Sequence, residues 1–198
     1  MFLYLNEGGN RMFIETIECE VLQKDGRFEI RQYQAYITAS VEIDSDFKNA
    51  LNSGFGILAD YFFSRNWSRK PPKTTGDITV HVAKNEKIAM TKPVFLTTTG
   101  QENRYIISFI MPARYTTDSL PEASNKQITF REVKPYKAAA LKFRGYLNET
   151  ITAEKTLVLG TWLKEKQLSN ISGFTFAQYD PPWIPGRFRR NEIIAALD

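Results

Sequence analysis

Cys19 and His81 are the single cysteine and the single histidine of the chain. A thiolate beside an imidazole makes a nucleophile, but with one residue of each type the pairing is available without being specified. Cys19 lies in "IECEV", an alternating stretch where a small buried hydrophobe is the expected role. One cysteine excludes an internal disulfide and any multi-cysteine metal site, and one histidine gives no histidine pair for a metal. His81 is therefore a lone candidate metal ligand, and its ordinary reading is a surface or strand histidine. A Gly-x-Ser-x-Gly elbow and a phosphate loop are both missing, and "GFG" at Gly54 lacks the third glycine of a dinucleotide fingerprint. Arg65, Arg69, Lys70 and Lys73 surround Trp67, a mixture able to stack bases and hold phosphates. A solvated loop anchored by one tryptophan is the favoured reading there. No reaction class follows from these residues, and binding is a better expectation than catalysis.

A chain of 198 residues has room for one large domain with a real core. Hydrophobic residues make up 42% and aromatics 13%, which argues against disorder over most of the length. The net charge of +4, with both signs mixed along the chain, falls short of a nucleic-acid footprint. The opening "MFLYLNEGGNRMFIE" has an apolar run too short for a signal peptide, and nothing approaches a membrane span. A cytoplasmic protein without a membrane partner is expected. Residues 1–12 read as a loose extension, with Met1 or Met12 as the start, ahead of one domain over 13–198.

Periodicity supplies the elements. Phe28 to Ile43 alternates as strands, and then Phe47, Ala50, Leu51, Phe55, Leu58 and Phe62 form a helix stripe. Asp44 or Ser45 is expected to cap that helix. Gly54 lies on the same stripe, where a missing side chain would let a sheet approach closely. "SRNWSRKPPKTTGD" and "PARYTTDSLPEASN" read as loops around a buried strand in "YIISFIMP". Gln127 to Phe143 gives two strands broken near Pro135. Ile151, Lys155, Val158, Leu159 and Trp162 share a second helix face, with Asn148 or Thr150 as its cap. "GFTFAQYD" and "RNEIIAAL" close the chain as strands.

An internal echo organises these elements. "FEIRQYQAYITASVEI" at Phe28 matches "ITFREVKPYKAAALKF" at Ile128 at constant offset, with Arg31 over Arg131, Tyr36 over Tyr136 and Ala39 over Ala139. Each copy runs into an amphipathic helix ending in Tyr61-Phe62 or Trp162-Leu163, so that 28–63 is echoed by 128–165. Two strands and a helix, repeated, predict an α+β domain with pseudo-twofold symmetry, whose halves join their sheets.

"FEIRQY", "GFGILADYFFSRN", "KIAMTKPV", "ISFIMP", "YDPPW" and "RRNE" occur in that order across nearly the whole chain. As an ordered set they resemble the SOUL family of heme-binding proteins. The resemblance implies a duplicated, twisted, barrel-like antiparallel sheet flanked by two helices, shared with gyrase-inhibitor-like small-ligand-binding proteins. It also implies a cytoplasmic binding protein for heme, another tetrapyrrole or a similar planar hydrophobic molecule. The alternative is a gyrase-inhibitor-like small-molecule-binding or hydrolytic protein that does not take heme.

Family members that bind heme use basic residues on the first helix and one just after the Tyr-Asp-Pro-Pro bend. Those positions hold Asn52, Ala59, Asp60 and Ile184 here, and the strand position of a proposed axial histidine holds Gln32. The candidate ligand-contacting set is Asn52, Phe55, Ala59, Tyr61, Met90, Trp183 and Arg187. Lys87, Arg189 and Arg190 are further cations for a carboxylate partner. A Pro-Pro pair cannot continue a central strand, so "YDPPW" is expected to be a fixed bend. "RRNE" would then open the last strand, with Glu192 pairing an arginine.

Overall fold

The computed structural model describes residues 14–63, 88–181 and 183–198, with short strand pairs at 4–5 with 11–12, 66–67 with 85–86, and 73–75 with 78–80. His81, Lys87, Arg65, Arg69 and Lys70 lie outside the described residues.

Nine strands form one antiparallel sheet among the described residues. They are β1 (Cys19–Asp25), β2 (Phe28–Tyr33), β3 (Tyr36–Asp44), β4 (Val94–Thr98), β5 (Arg104–Ile110), β6 (Thr129–Val133), β7 (Tyr136–Arg144), β8 (Asn170–Gln178) and β9 (Arg190–Leu197). Helix α1 (Phe47–Phe63) follows β3, and α2 (Glu149–Glu165) follows β7. The spatial order is β6-β3-β5-β4-β8-β9-β7-β2-β1.

That order is a duplication read about its centre. The β4–β8 pairing joins the halves, and β5, β3 and β6 on one side answer β9, β7 and β2 on the other. The first strand of each half has crossed over: β2 pairs with β7 and β6 pairs with β3. The registers agree residue by residue, since Ala138 opposes Arg31 while Thr38 opposes Arg131. Likewise Val41 opposes Ile107 while Leu141 opposes Ile193. Neither half holds a complete sheet alone, because β7 pairs with β2 and β3 with β6, each a strand from the other half. The expected α+β duplication is present.

Alternation divides the strands into two faces. Both helices cover one face, where Ala39, Val41, Leu96, Ile107, Phe109, Ala139, Leu141, Phe176, Ile193 and Ala195 meet Leu58, Phe62, Leu159 and Trp162 in the main core. Trp162 stacks on Phe28 at 4.8 Å and donates its indole N–H to Asp25 at 3.1 Å, which binds α2 to the β1–β2 hairpin. The helix-free face carries a smaller apolar cluster that includes Tyr33, Phe95, Ile110, Ala138, Ala140, Ala177, Tyr179 and Ile194. No helix among the described residues is long and apolar enough to cross a membrane.

Two local expectations need correction. The α1 cap is Asp46, whose carboxylate accepts from the Asn49 backbone N–H at 3.0 Å, and neither Asp44 nor Ser45 fills that role. Asp44 is still in β3, paired with Arg104, so the turn begins later than the "DSD" run suggests. Cys19 is exposed, not buried, because β1 is the sheet's edge strand and all seven of its residues are exposed. The α2 cap is Asn148, accepting from Ile151 N–H at 2.9 Å.

Gly54 is where α1 lies closest to the sheet. A Cβ built there falls 2.4 Å from Ile107 Cγ1 and 2.7 Å from its Cβ, whereas one at Gly56 meets nothing within 4 Å. The two glycines therefore respond oppositely to alanine. Gly54→Ala should lower stability by about 1–3 kcal/mol through overpacking. Gly56→Ala should raise it by up to about 1 kcal/mol through helix propensity. Urea denaturation of the two variants checks both signs, and equal effects would refute the close contact.

Candidate functional site

The helix-free face is built around a buried guanidinium. Arg31, 4% exposed, donates from Nε to Glu29 at 2.9 Å and from Nη1 to the Tyr33 hydroxyl at 2.9 Å. It also engages Glu192 with both terminal nitrogens, at 2.7 and 3.1 Å. Tyr179 donates its hydroxyl to Glu192 at 2.8 Å, and Lys142 donates to Glu29 at 2.6 Å. Two cations and two carboxylates balance, and each charge has a partner in place.

The electrostatics follow from that arrangement. For Arg31, burial works against the charged form, but the hydrogen bond and charge of Glu192, with Tyr33, outweigh it and raise its pKa. Burial raises the Glu29 carboxyl, while hydrogen bonds from Lys142 and Arg31 together hold it below the ordinary carboxylate range. Burial pushes the Tyr33 and Tyr179 hydroxyls up, so both stay protonated, Tyr33 accepting from Arg31 and Tyr179 donating to Glu192. Small residues make room: Ala138 lies opposite Arg31 and Ala140 opposite Glu29. The expected arginine partner of Glu192 exists, and it comes from β2, not from the neighbouring "RR".

Next to this network, Tyr36 and Tyr136 join hydroxyls at 3.1 Å across the two halves. A cavity of about 410 Å³ opens on the Tyr36 side, between the strand end at Ile110 and the 15–18 segment. Its floor includes Ile17, Tyr36, Ile110, Met111 and Tyr115. Its lining also contains Glu15, Glu18 and Glu132, all exposed, and no lysine or arginine among the described residues. Glu15 fixes the N-terminal segment by accepting from Ala113 N–H at 2.7 Å, and residues 15–16 pair in parallel with Thr91–Lys92. Arg114 stands just outside the lining, donating to the Tyr115 hydroxyl at 2.9 Å. Among the described residues no group of histidine, cysteine, aspartate and glutamate side chains is arranged to hold a metal ion.

The residues singled out from sequence are placed elsewhere. Asn52 is exposed on α1, Ala59 is half-buried, and Phe55 stands edge-on to Phe109 at 5.2 Å. Tyr61 is buried, donating to Pro121 C=O at 2.9 Å, and Met90 packs against the same helix-side core. Trp183 is 72% exposed in the bend. Arg187 is exposed over the Phe188 ring, while Arg189 donates to Ile184 C=O at 2.7 Å and lies over Tyr146. Tyr146 in turn lies on Gly186, where a Cβ would fall 2.2 Å from the ring, so the bend is a packed piece of structure. The structure thus brings Phe55, Tyr61 and Met90 to the helix side, and none of the seven lines the cavity.

What pattern reading missed is Glu29–Arg31–Glu192 and the glutamate rim. The first had a signal: Glu29, Arg31 and Tyr33 are spaced two apart in a strand and so share one of its faces. The rim had none, since Glu15, Glu18 and Glu132 meet only through the fold.

The family model described as "SOUL heme-binding protein" matches residues 14–196. No curated protein matches the sequence. Among solved structures, the EcmrR C-terminal domain is similar at a TM-score of 0.62 and 10% identity, over 86% of this chain and 96% of that one. A hydrolase from Listeria innocua is similar at 0.56 and 10% identity, over 89% and 94%. SAV2435 bound to tetraphenylphosphonium is similar at 0.50 and 11% identity, over 86% and 93%. At these identities the likeness is one of fold.

Glu192→Gln keeps the shape of the network and removes one of its two carboxylates, leaving excess positive charge at Arg31. A loss of about 3 kcal/mol is expected, read as a fall in Tm of roughly 6–12 °C for a chain of this size. A change below about 1 °C would show that Arg31 is neutralised without Glu192. Glu29 gives the pH dependence. Its folded pKa lies below the unfolded value of about 4.3, so its stabilisation is present above that pH and disappears as pH falls through the folded value. Between about pH 5 and pH 2 the wild type should therefore lose more stability than Glu29→Gln, as measured by denaturant titration at each pH. Parallel curves would remove Glu29 from the acid response.

Proposed function

The chain belongs to the SOUL heme-binding protein family, and from that premise we propose that it binds a small planar or aromatic hydrophobic molecule in the cavity beside Tyr36. The observation that carries this reading is the cavity itself. Its volume of about 410 Å³ is within the range of ligand pockets, and its floor is apolar and aromatic, with polar groups at the mouth.

The lining does not suit heme. Two propionates need cations, and this mouth presents three carboxylates with Arg114 tied to Tyr115 outside it. The helix positions equivalent to the family's basic residues, Asn52, Ala59 and Asp60, add none. A neutral or positively charged aromatic guest suits both the glutamates and the tyrosine faces. Hydrolysis is the weaker reading. The buried carboxylates on this face, Glu29 and Glu192, are engaged by Lys142, Arg31 and Tyr179, which leaves neither poised as a general base.

Tetraphenylphosphonium, hemin and a neutral aromatic, pyrene, serve as probes in parallel titrations. Saturable binding of tetraphenylphosphonium is expected, with no saturable Soret shift at micromolar hemin. Glu18→Gln/Glu132→Gln should weaken the phosphonium about threefold to tenfold and leave pyrene unchanged, the range of one or two partly exposed charge contacts. Saturable hemin binding, or phosphonium affinity indifferent to the double substitution, would overturn this reading.

A further inference from the structure

Duplication allows each residue of the buried network to be compared with its counterpart. Tyr36 and Tyr136 stand 100 residues apart, as do Arg31 and Arg131, and the crossed-over strands place both arginines on the helix-free face. Arg31 is surrounded by Glu29, Tyr33, Glu192 and Tyr179. The same offset puts Thr129 in the place of Glu29 and Val133 in the place of Tyr33. Lys142 opposes Glu192 as Glu42 opposes Ile106, so Ile106 stands where Glu192 would. Tyr179 N–H bonds to Arg190 C=O, and the matching bond in the first half runs from Thr99 N–H to Arg104 C=O. Thr99 is therefore the counterpart of Tyr179.

All three partners of the guanidinium, and the Tyr179 that supports Glu192, are gone in the second copy, and the guanidinium remains. Among the described residues the Arg131 side chain makes no hydrogen bond or ion pair. It lines a groove of about 310 Å³ with Val133, Tyr136, Ser172, Thr175, Ile194 and Ala196. Tyr136 separates this groove from the acidic cavity by bonding to Tyr36. The groove wall is apolar at Val133, Ile194 and Ala196, hydroxylic at Ser172, Thr175 and Tyr136, and its one charged side chain is Arg131.

We propose that this groove is a second ligand site, for a small amphiphile with one carboxylate, held by Arg131 in the manner in which Arg31 holds Glu192. A planar guanidinium matches a carboxylate with two parallel N–H···O bonds, a geometry Arg31 already makes with Glu192 in the other half. The apolar part of the guest lies along Val133, Ile194 and the Tyr136 ring. One cation takes one carboxylate, so the guest is a monoanion. The site lies in a different cavity from the one proposed above, and neither depends on the other.

Pyrenebutyrate and its neutral counterpart pyrenebutanol, followed by fluorescence on the full chain, isolate the charge contact. The acid is expected to bind about tenfold tighter than the alcohol, the scale of one charge-assisted hydrogen-bonded contact. Arg131→Gln should abolish the difference, Arg131→Lys should retain part of it, and Arg27→Gln, with the same loss of charge at an exposed turn, should leave it intact. Glu18→Gln/Glu132→Gln should also leave it intact, which keeps the outcome separate from that of the acidic cavity. Equal affinity for acid and alcohol in the wild type, or a preference that survives Arg131→Gln, would overturn the site. Loss of the preference on adding inorganic phosphate but not acetate would overturn the assignment to a carboxylate.

Discussion

A guanidinium withdrawn from water costs several kcal/mol unless opposite charge and hydrogen-bond acceptors meet it on the spot. Arg31 satisfies that condition only in the native topology. Glu29 and Tyr33 come from its own strand, whereas Glu192 comes from β9 at the other end of the chain. The strand that carries Arg31 forms its ladder with β7, so the ion pair closes over the same crossing that the backbone makes. Slipping β2 by one residue would turn Arg31 toward the helix-side core, where nothing could neutralise it. The network adds little as a source of attraction. Its larger effect is to make the wrong registers costly, which fixes which half supplies which strand.

The two halves have diverged in charge on one face of the sheet, where Arg31 with Arg131 and Tyr36 with Tyr136 are still shared, and are mostly apolar in both copies on the other. Toward the helices the counterparts remain apolar: Ala39 with Ala139, Val41 with Leu141, Ile107 with Ile193. Close packing there favours exchange among hydrophobes, though Phe109 with Ala195 and Tyr105 with Asn191 differ in size or polarity. On the helix-free face the counterparts differ in charge and polarity. Lys142 answers Glu42, Glu192 answers Ile106 and Ala138 answers Thr38. A half-open sheet leaves that face partly in water, so substitutions there change its chemistry without opening voids in the core.

Much of this architecture could be read from residue order. The stripe at Phe47, Ala50, Leu58 and Phe62 is a buried helix face, Gly54 is the close contact that its position implied, and the matched segments at Phe28 and Ile128 occupy corresponding strands. These succeed because periodicity and small-residue placement are local signals. Cys19 misled because alternation does not distinguish an inner strand from an edge strand, and edge position is decided by pairing across the whole sheet. The acidic cavity was invisible for the same reason. Glu15 and Glu18 reach it through an N-terminal segment held by parallel pairing at Thr91–Lys92, and Glu132 through a crossed-over strand. The two cavities described among these residues are lined by other side chains than those that family matching singled out.

The charges of the buried network and the charges that line the two cavities are separate sets. Arg31 and Lys142 are balanced by Glu29 and Glu192, so the buried network exerts little net field on either cavity. The charged residues that line the two cavities lie outside that balance: Glu15, Glu18 and Glu132 on one side of the tyrosine pair, and Arg131 on the other. Glu18, Glu132 and Arg131 are exposed and make no side-chain hydrogen bond or ion pair among the described residues, so their signs can change with almost no cost in stability, whereas Glu15 also ties down the N-terminal segment through Ala113. The chain's net charge of +4 therefore does not describe either opening. Among the described residues, one opening is lined by three carboxylates and no cation, and the other by Arg131 as its one charged side chain.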